Sequence, residues 1–128
     1  MKTARLFIII VTLYSFQMCT TRSQTNAMAA CFTGKLVKSG ICGQKVIQLL
    51  SERVEGIAFA EKWTDSLSNK EYENVFTVGN ACDFPVSIRE GDEFSFALTV
   101  IPPSDCIQCY AYTPVPAQKN HIITGCVR

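Results

Sequence analysis

Residues 93–100 read Glu-Phe-Ser-Phe-Ala-Leu-Thr-Val, so Phe94, Phe96, Leu98 and Val100 alternate with Glu93, Ser95, Ala97 and Thr99. Successive side chains of a strand point to opposite faces, and this period of two therefore marks a strand with one buried face. The four large apolar residues are expected to point into a core. Arg89-Glu90-Gly91-Asp92 just before them reads as a tight turn, with Gly91 free to take positive φ. Pro102-Pro103 stops the strand.

The same reading extends in both directions. Residues 32–38 (FTGKLVK) and 45–50 (KVIQLL) flank the turn residues Ser39-Gly40-Ile41-Cys42-Gly43, so 31–51 reads as a hairpin. Residues 72–78 (YENVFTV) alternate, with Tyr72, Asn74, Phe76 and Val78 on one face, and Gly79-Asn80 ends them. Trp63 to Ser66 reads as a short strand and Ser68-Asn69-Lys70 as a turn. Gly56 and short length argue against a stable helix over 52–60, which is left as an irregular crossing or a short helical turn. Residues 107–113 (IQCYAYT) read as a strand, 114–120 as a loop and 121–127 as a last short strand. Five or six strands with almost no helix signal define an all-β domain, a small antiparallel barrel or sandwich.

The first residues do not belong to that pattern. Lys2 and Arg5 precede the uncharged apolar run Leu6–Tyr14, and polar residues follow, which is the layout of a secretory signal peptide. The run is shorter than the roughly 20 apolar residues a spanning helix needs, and no other stretch is long enough, so no transmembrane segment is expected. A cut before Gln24 gives a signal over 1–23, and Ala27-Met28-Ala29 offers a later cut, up to residue 30. Residues 24–30 then form a flexible lead and 31–128 the domain. A lipid anchor on Cys19 is a weaker alternative, because Phe16 and Met18 stand where a lipobox wants an aliphatic and a small residue.

Cysteine parity agrees with export. Of seven cysteines, Cys19 falls in the signal segment, leaving Cys31, Cys42, Cys82, Cys106, Cys109 and Cys126. An even set in a short exported chain reads as a disulfide framework, and spacing alone does not choose the pairing. The expected location is secreted, periplasmic or at the cell surface. Beyond residue 23 there are nine Lys/Arg against eleven Asp/Glu, so the domain is slightly acidic. That argues against a nucleic-acid or anionic-membrane surface, which requires a basic patch.

Chemistry-bearing motifs are few. Cys106-Ile107-Gln108-Cys109 is a C-x-x-C, but the helix that lowers a redox thiol's pKa is missing after it. Structural zinc would want a second such pair, so no metal and no cofactor is expected. His121 is the only histidine and has no nucleophile motif beside it, so no catalytic residue is assigned. Trp63, Tyr110, Tyr112, Pro114 and Pro116 are the candidates for a binding surface, since Tyr and Trp are enriched at interfaces; Tyr110 and Tyr112 share a face if 107–113 is a strand. Against this stands the plainer possibility that Trp63 covers the core.

The order of features from Cys31 to Cys126, with Ser87–Leu98 (SIREGDEFSFAL) as a turn followed by a strand, resembles the netrin-like domain, the OB-type barrel of tissue inhibitors of metalloproteases. The chain has Cys31-Phe32-Thr33 where those inhibitors open with C-x-C-x-P. It is also similar to short exported proteins of Bacteroidetes-type bacteria that share the GIC, W-T-D, GD-x-F and C-x-x-C-x-A-Y segments, a likeness that carries no function with it. The netrin-like resemblance implies an OB-like barrel and a pairing of Cys31 with Cys82 and Cys42 with Cys126, which leaves Cys106 with Cys109. The expected function is an exported, non-catalytic binding module for a protein or small-molecule partner. The alternatives are a netrin-like protease inhibitor and a thiol oxidoreductase using Cys106 and Cys109.

Overall fold

In a computed structural model of the chain, the residues described are 30–52, 55–106, 109 and 111–127. The signal segment 1–23, Cys19 and nearly all of the 24–30 lead lie outside them, as do Ile107, Gln108 and Tyr110. The described residues form seven strands: β1 (Phe32–Ser39), β2 (Lys45–Leu49), β3 (Ala60–Asp65), β4 (Lys70–Val78), β5 (Glu93–Leu98), β6 (Lys119–Asn120) and β7 (Ile122–Thr124). The one helical piece among the described residues is a single 3₁₀ turn, Ala81–Asp83. The protein is all-β, as the alternating patterns require.

The hydrogen-bonded order is β3-β4-β2-β1-β5-β7, antiparallel throughout, with β6 added parallel to β4. The end strands β3 and β7 are not paired with each other, so the sheet is rolled without closing edge to edge into a barrel. Residues 118–124 nevertheless reach across the gap. The Gln118 and Asn120 carbonyls accept from Thr77 and Gly79 on the β4 side, at 2.8 Å each, and the His121 carbonyl accepts from Thr99 at 3.0 Å on the β5 side. Successive carbonyls of one extended segment point in opposite directions, which is how it serves two neighbours at once.

The core sits inside this roll. Phe32, Leu36, Ile47, Leu49, Ile57, Phe76, Val78, Phe84, Phe96 and Ile122 form one buried cluster, with Phe94 and Leu98 packed against it. Phe96 is at its centre, with ring centroids 5.5 Å from Phe32, 5.7 Å from Phe76 and 6.1 Å from Phe94. Full burial of such a side chain contributes about 1.5–3 kcal/mol. Gly34 lets β1 pass this cluster: a methyl there would stand 2.7 Å from Ile47 Cγ2 and 3.0 Å from Phe96 Cε1. Gly91 has φ +94 in the turn before β5, where a side chain would be strained.

Several expectations are corrected. Val100 does not face the core and is 98 % exposed, because the pairing of β5 with β7 ends at Leu98 opposite Ile122 and the chain departs toward Pro102. The described residues of the expected 107–113 strand, Cys109 and Ala111–Thr113, are irregular, and neighbouring elements reach this arm through disulfides. The third strand begins at Ala60, earlier than Trp63, and the 114–120 loop ends in the short strand β6. On β4, Phe76 and Val78 enter the core as expected. Val75 on the opposite face is buried too, because it pairs with both Gln48 and Ala60.

The cysteine pairing also differs. The six cysteines form Cys31–Cys126, Cys42–Cys109 and Cys82–Cys106. None of the three pairs implied by the resemblance is present. The reason is topological. Cys31 precedes β1 and Cys126 follows β7, and both strands pair with β5, so the two cysteines meet beside it. Cys42 in the β1–β2 turn and Cys82 in the 3₁₀ turn each take one end of the C-x-x-C.

Candidate functional site

The β3–β4 hairpin carries the most organised cluster of polar and aromatic groups. Trp63 and Tyr72 are opposite one another in its register and so share a face. Their rings stack with centroids 6.0 Å apart at 22°. Lys38, at the end of β1, places Nζ 5.6 Å from the Trp63 ring centroid and 2.6 Å from Asp65 Oδ1. The Lys38 and Asp65 side chains are only 12 % and 7 % exposed, so this ion pair is largely withdrawn from water. Asp65 also accepts the Leu67 backbone N–H at 3.2 Å and the Ser68 hydroxyl at 2.8 Å. Burial pushes the Asp65 carboxyl up, but the hydrogen bonds from Lys38, Ser68 and Leu67, with the Lys38 charge, outweigh it and hold the group below the ordinary carboxylate range.

Beside this cluster, β1, β4 and the Glu90-Gly91 turn enclose an open groove of about 580 Å³. Lys35, Gln48, Lys70, Tyr72, Glu73 and Glu90 are among the residues that line it. Tyr72 belongs to both the groove and the aromatic stack, and Lys70 Nζ lies 5.2 Å from its ring centroid. Gln48 Nε2 donates to the Glu73 carbonyl at 3.2 Å, which holds the side chain across the groove wall. Lys62 and Glu71 pair at 3.2 Å on the exposed side of the hairpin, a surface pair of small energetic weight. Glu71, first by its hydrogen bond and then by its charge, holds Lys62 above the ordinary lysine value.

The surface expected from the sequence is divided by the fold. Trp63 is half-buried on β3, while Tyr112 is 84 % exposed in the irregular arm. Pro114 and Pro116 are buried, and the Pro116 carbonyl accepts the Thr77 hydroxyl at 2.7 Å. Thr77 lies five positions along β4 from Tyr72, roughly 17 Å at the rise of a strand. Pro116 is therefore held at the far end of β4 from Tyr72. Tyr110 lies outside the described residues. The partners that make Trp63 part of a site, Tyr72, Lys38 and Asp65, were not singled out from the sequence. Period-two spacing on two strands joined by a turn could have flagged Trp63 and Tyr72 as cross-strand neighbours.

A second recess, of about 310 Å³, is lined by Cys42, Cys82, Cys106 and Cys109 together with Gly79 and Lys119. The 3₁₀ turn is tied to the arm next to it by Asp83, which accepts the Ser104 backbone N–H at 3.2 Å. Side-chain and backbone hydrogen bonds from Ser104, with smaller contributions from Asn80 and the charge of His121, outweigh a small burial effect and hold the Asp83 carboxyl below its ordinary value. Among the described residues no group of three or more His, Cys, Asp or Glu is placed to hold a metal ion. No helix among them is long and apolar enough to cross a membrane. No family model matches the chain, and neither does any curated protein or solved structure.

Proposed function

We propose that this is an exported binding module, without catalytic machinery, that contacts its partner through the groove between β1, β4 and the Glu90-Gly91 turn. The observation that carries this reading is Tyr72, which joins the stacked Trp63 to a groove presenting Lys35 and Lys70 beside Glu73 and Glu90. Aromatic anchors within a rim of both charge signs suit recognition of a polar or mixed-charge partner. The Lys38–Asp65 pair fixes the hairpin that presents them. Three disulfides fit an oxidising compartment, and a cleaved segment over 1–23 delivers the domain there.

Backbone NMR of the oxidised domain against a library of peptides and small polar compounds tests this. Binding at the groove shifts the amides of Lys35, Gln48 and Lys70–Glu73 together, and Tyr72→Ala abolishes those shifts with the rest of the spectrum preserved. Ligand-induced shifts confined to other surfaces would overturn the assignment.

A further inference from the structure

We propose that Cys106 and Cys109 form a disulfide-exchange site, at which an external dithiol converts the two bridges of the 310 Å³ recess into a single Cys106–Cys109 bridge with free thiols at Cys42 and Cys82. This is independent of the groove. It rests on placement: all four cysteines line one recess, although their bridges lead to two different turns. Cys82, Cys106 and Cys109 are exposed and Cys42 is half-buried. Thiol–disulfide exchange requires this access of an attacking thiolate to a bridge sulfur. Cys106 and Cys109 are three positions apart in sequence, so once either is a thiolate the other is held near it at high effective concentration. Lys119 on β6 supplies a cation at the recess, which favours thiolate over thiol.

The chemistry balances in two stages. One thiolate of the dithiol attacks Cys82 Sγ, the Cys82–Cys106 bond breaks, and Cys106 leaves as a thiolate. The second thiol of the reagent then attacks its own sulfur in the mixed disulfide and releases Cys82. The dithiol has lost two electrons, the bridge has gained them, and the reagent's two protons are shared by the freed cysteines. In the second stage the Cys106 thiolate attacks Cys109 Sγ, the Cys42–Cys109 bond breaks, Cys106–Cys109 forms, and Cys42 leaves and takes up the proton. This stage involves no net oxidation or reduction.

The rest of the molecule is not required to change. Cys42 and Cys82 lie in turns, none of the four cysteines belongs to the core cluster, and Cys31–Cys126 lies beside β5.

The oxidised, full-length secreted protein is titrated with dithiothreitol, acid-quenched, alkylated with N-ethylmaleimide and mapped by non-reducing peptide mass spectrometry. The expected result is a two-thiol species alkylated mainly at Cys42 and Cys82, with Cys106 joined to Cys109 and Cys31 to Cys126. A two-thiol species alkylated at Cys82 and Cys106 with Cys42–Cys109 intact would overturn the proposal. So would one alkylated at Cys42 and Cys109, or direct passage to four thiols with no two-thiol species.

Discussion

Asn80 holds both main-chain polar groups of Ile122: its Oδ1 accepts the Ile122 N–H at 2.9 Å and its Nδ2 donates to the Ile122 carbonyl at 2.8 Å. Asn120 does the same for Ala58, accepting at 3.0 Å and donating at 2.6 Å. Each side-chain amide stands in for one residue of a missing strand. Both asparagines are buried, at 4 % and 8 % exposure, so these groups have little access to water in exchange. The two amides fasten the terminal segment to the 3₁₀ turn on one side and to the irregular crossing on the other.

Asn80→Ala removes a donor and an acceptor at once. The expected loss of unfolding free energy is about 1–3 kcal/mol for each Ile122 group left unpaired. Asn80→Asp keeps the acceptor, but turns the Nδ2 donor into a second oxygen facing the Ile122 carbonyl, and is expected to cost at least as much. Urea denaturation of the oxidised proteins, compared by midpoint at constant m, measures both.

For Lys38 and Asp65, breaking the pair from one side leaves the other charge buried without a partner. Lys38→Met or Asp65→Leu alone is expected to destabilise by about 3–5 kcal/mol if the pair behaves as fully buried, whereas the double variant costs less than either single change. Trp63 is the only tryptophan of the chain, so its emission follows each variant's local environment during unfolding. A double variant that loses the sum of the two single effects would show that the pair is not coupled.

Acid should weaken the same contact. The carboxyl of Asp65 titrates below its ordinary value in the folded state. Its stabilising contribution is therefore fully present above the unfolded value, about pH 4, and is lost as pH falls through the folded value. The difference in melting temperature between wild type and Asp65→Asn is expected to be largest near neutral pH and to shrink steadily below about pH 4.

Along β5, Phe96→Ala is expected to cost about 3–5 kcal/mol and Val100→Ala less than about 0.5 kcal/mol, although the two residues occupy equivalent positions in one alternating run. Gly34→Ala tests the same packing from the opposite strand. Overpacking against Ile47 and Phe96 is expected to cost about 1–3 kcal/mol. Calorimetric melting of the three variants gives the ranking directly.

The strands were readable where one face is buried and the other wet. Residues 32–39 show this plainly, because burial of alternate residues is what their spacing records; along 45–49 and 93–98 the strands are present, but Val46 and Ala97 on the second face are buried as well. Val100 continues the same spacing, and only the absence of a neighbour strand beyond Ile122 puts it in water. The aromatic and β-branched content of 107–113 resembles a strand, but its described residues are irregular and are tied to the β1–β2 turn through Cys109. Cysteine order carries no information on which sulfurs approach, since the rolled sheet sets their distances. The candidate site was the least visible. Trp63 stood out as a residue type, but Lys38 is 27 positions from Asp65, and their meeting depends on how β1 and the β3–β4 hairpin are brought together.

The Cys31–Cys126 bridge spans 95 positions, with Cα atoms 5.8 Å apart. The first strand of the sheet and the residues following the last are thus neighbours, and the bonds made by residues 118–124 complete the roll. While the chain is being made, β1 and β5 have nothing to close over them until residues 118–126 have emerged. Early folding units would be the local hairpins, and cooperative structure would wait for residues 118–126. Contacts of such long range slow the search for the native state, into the millisecond-to-second regime common for β domains.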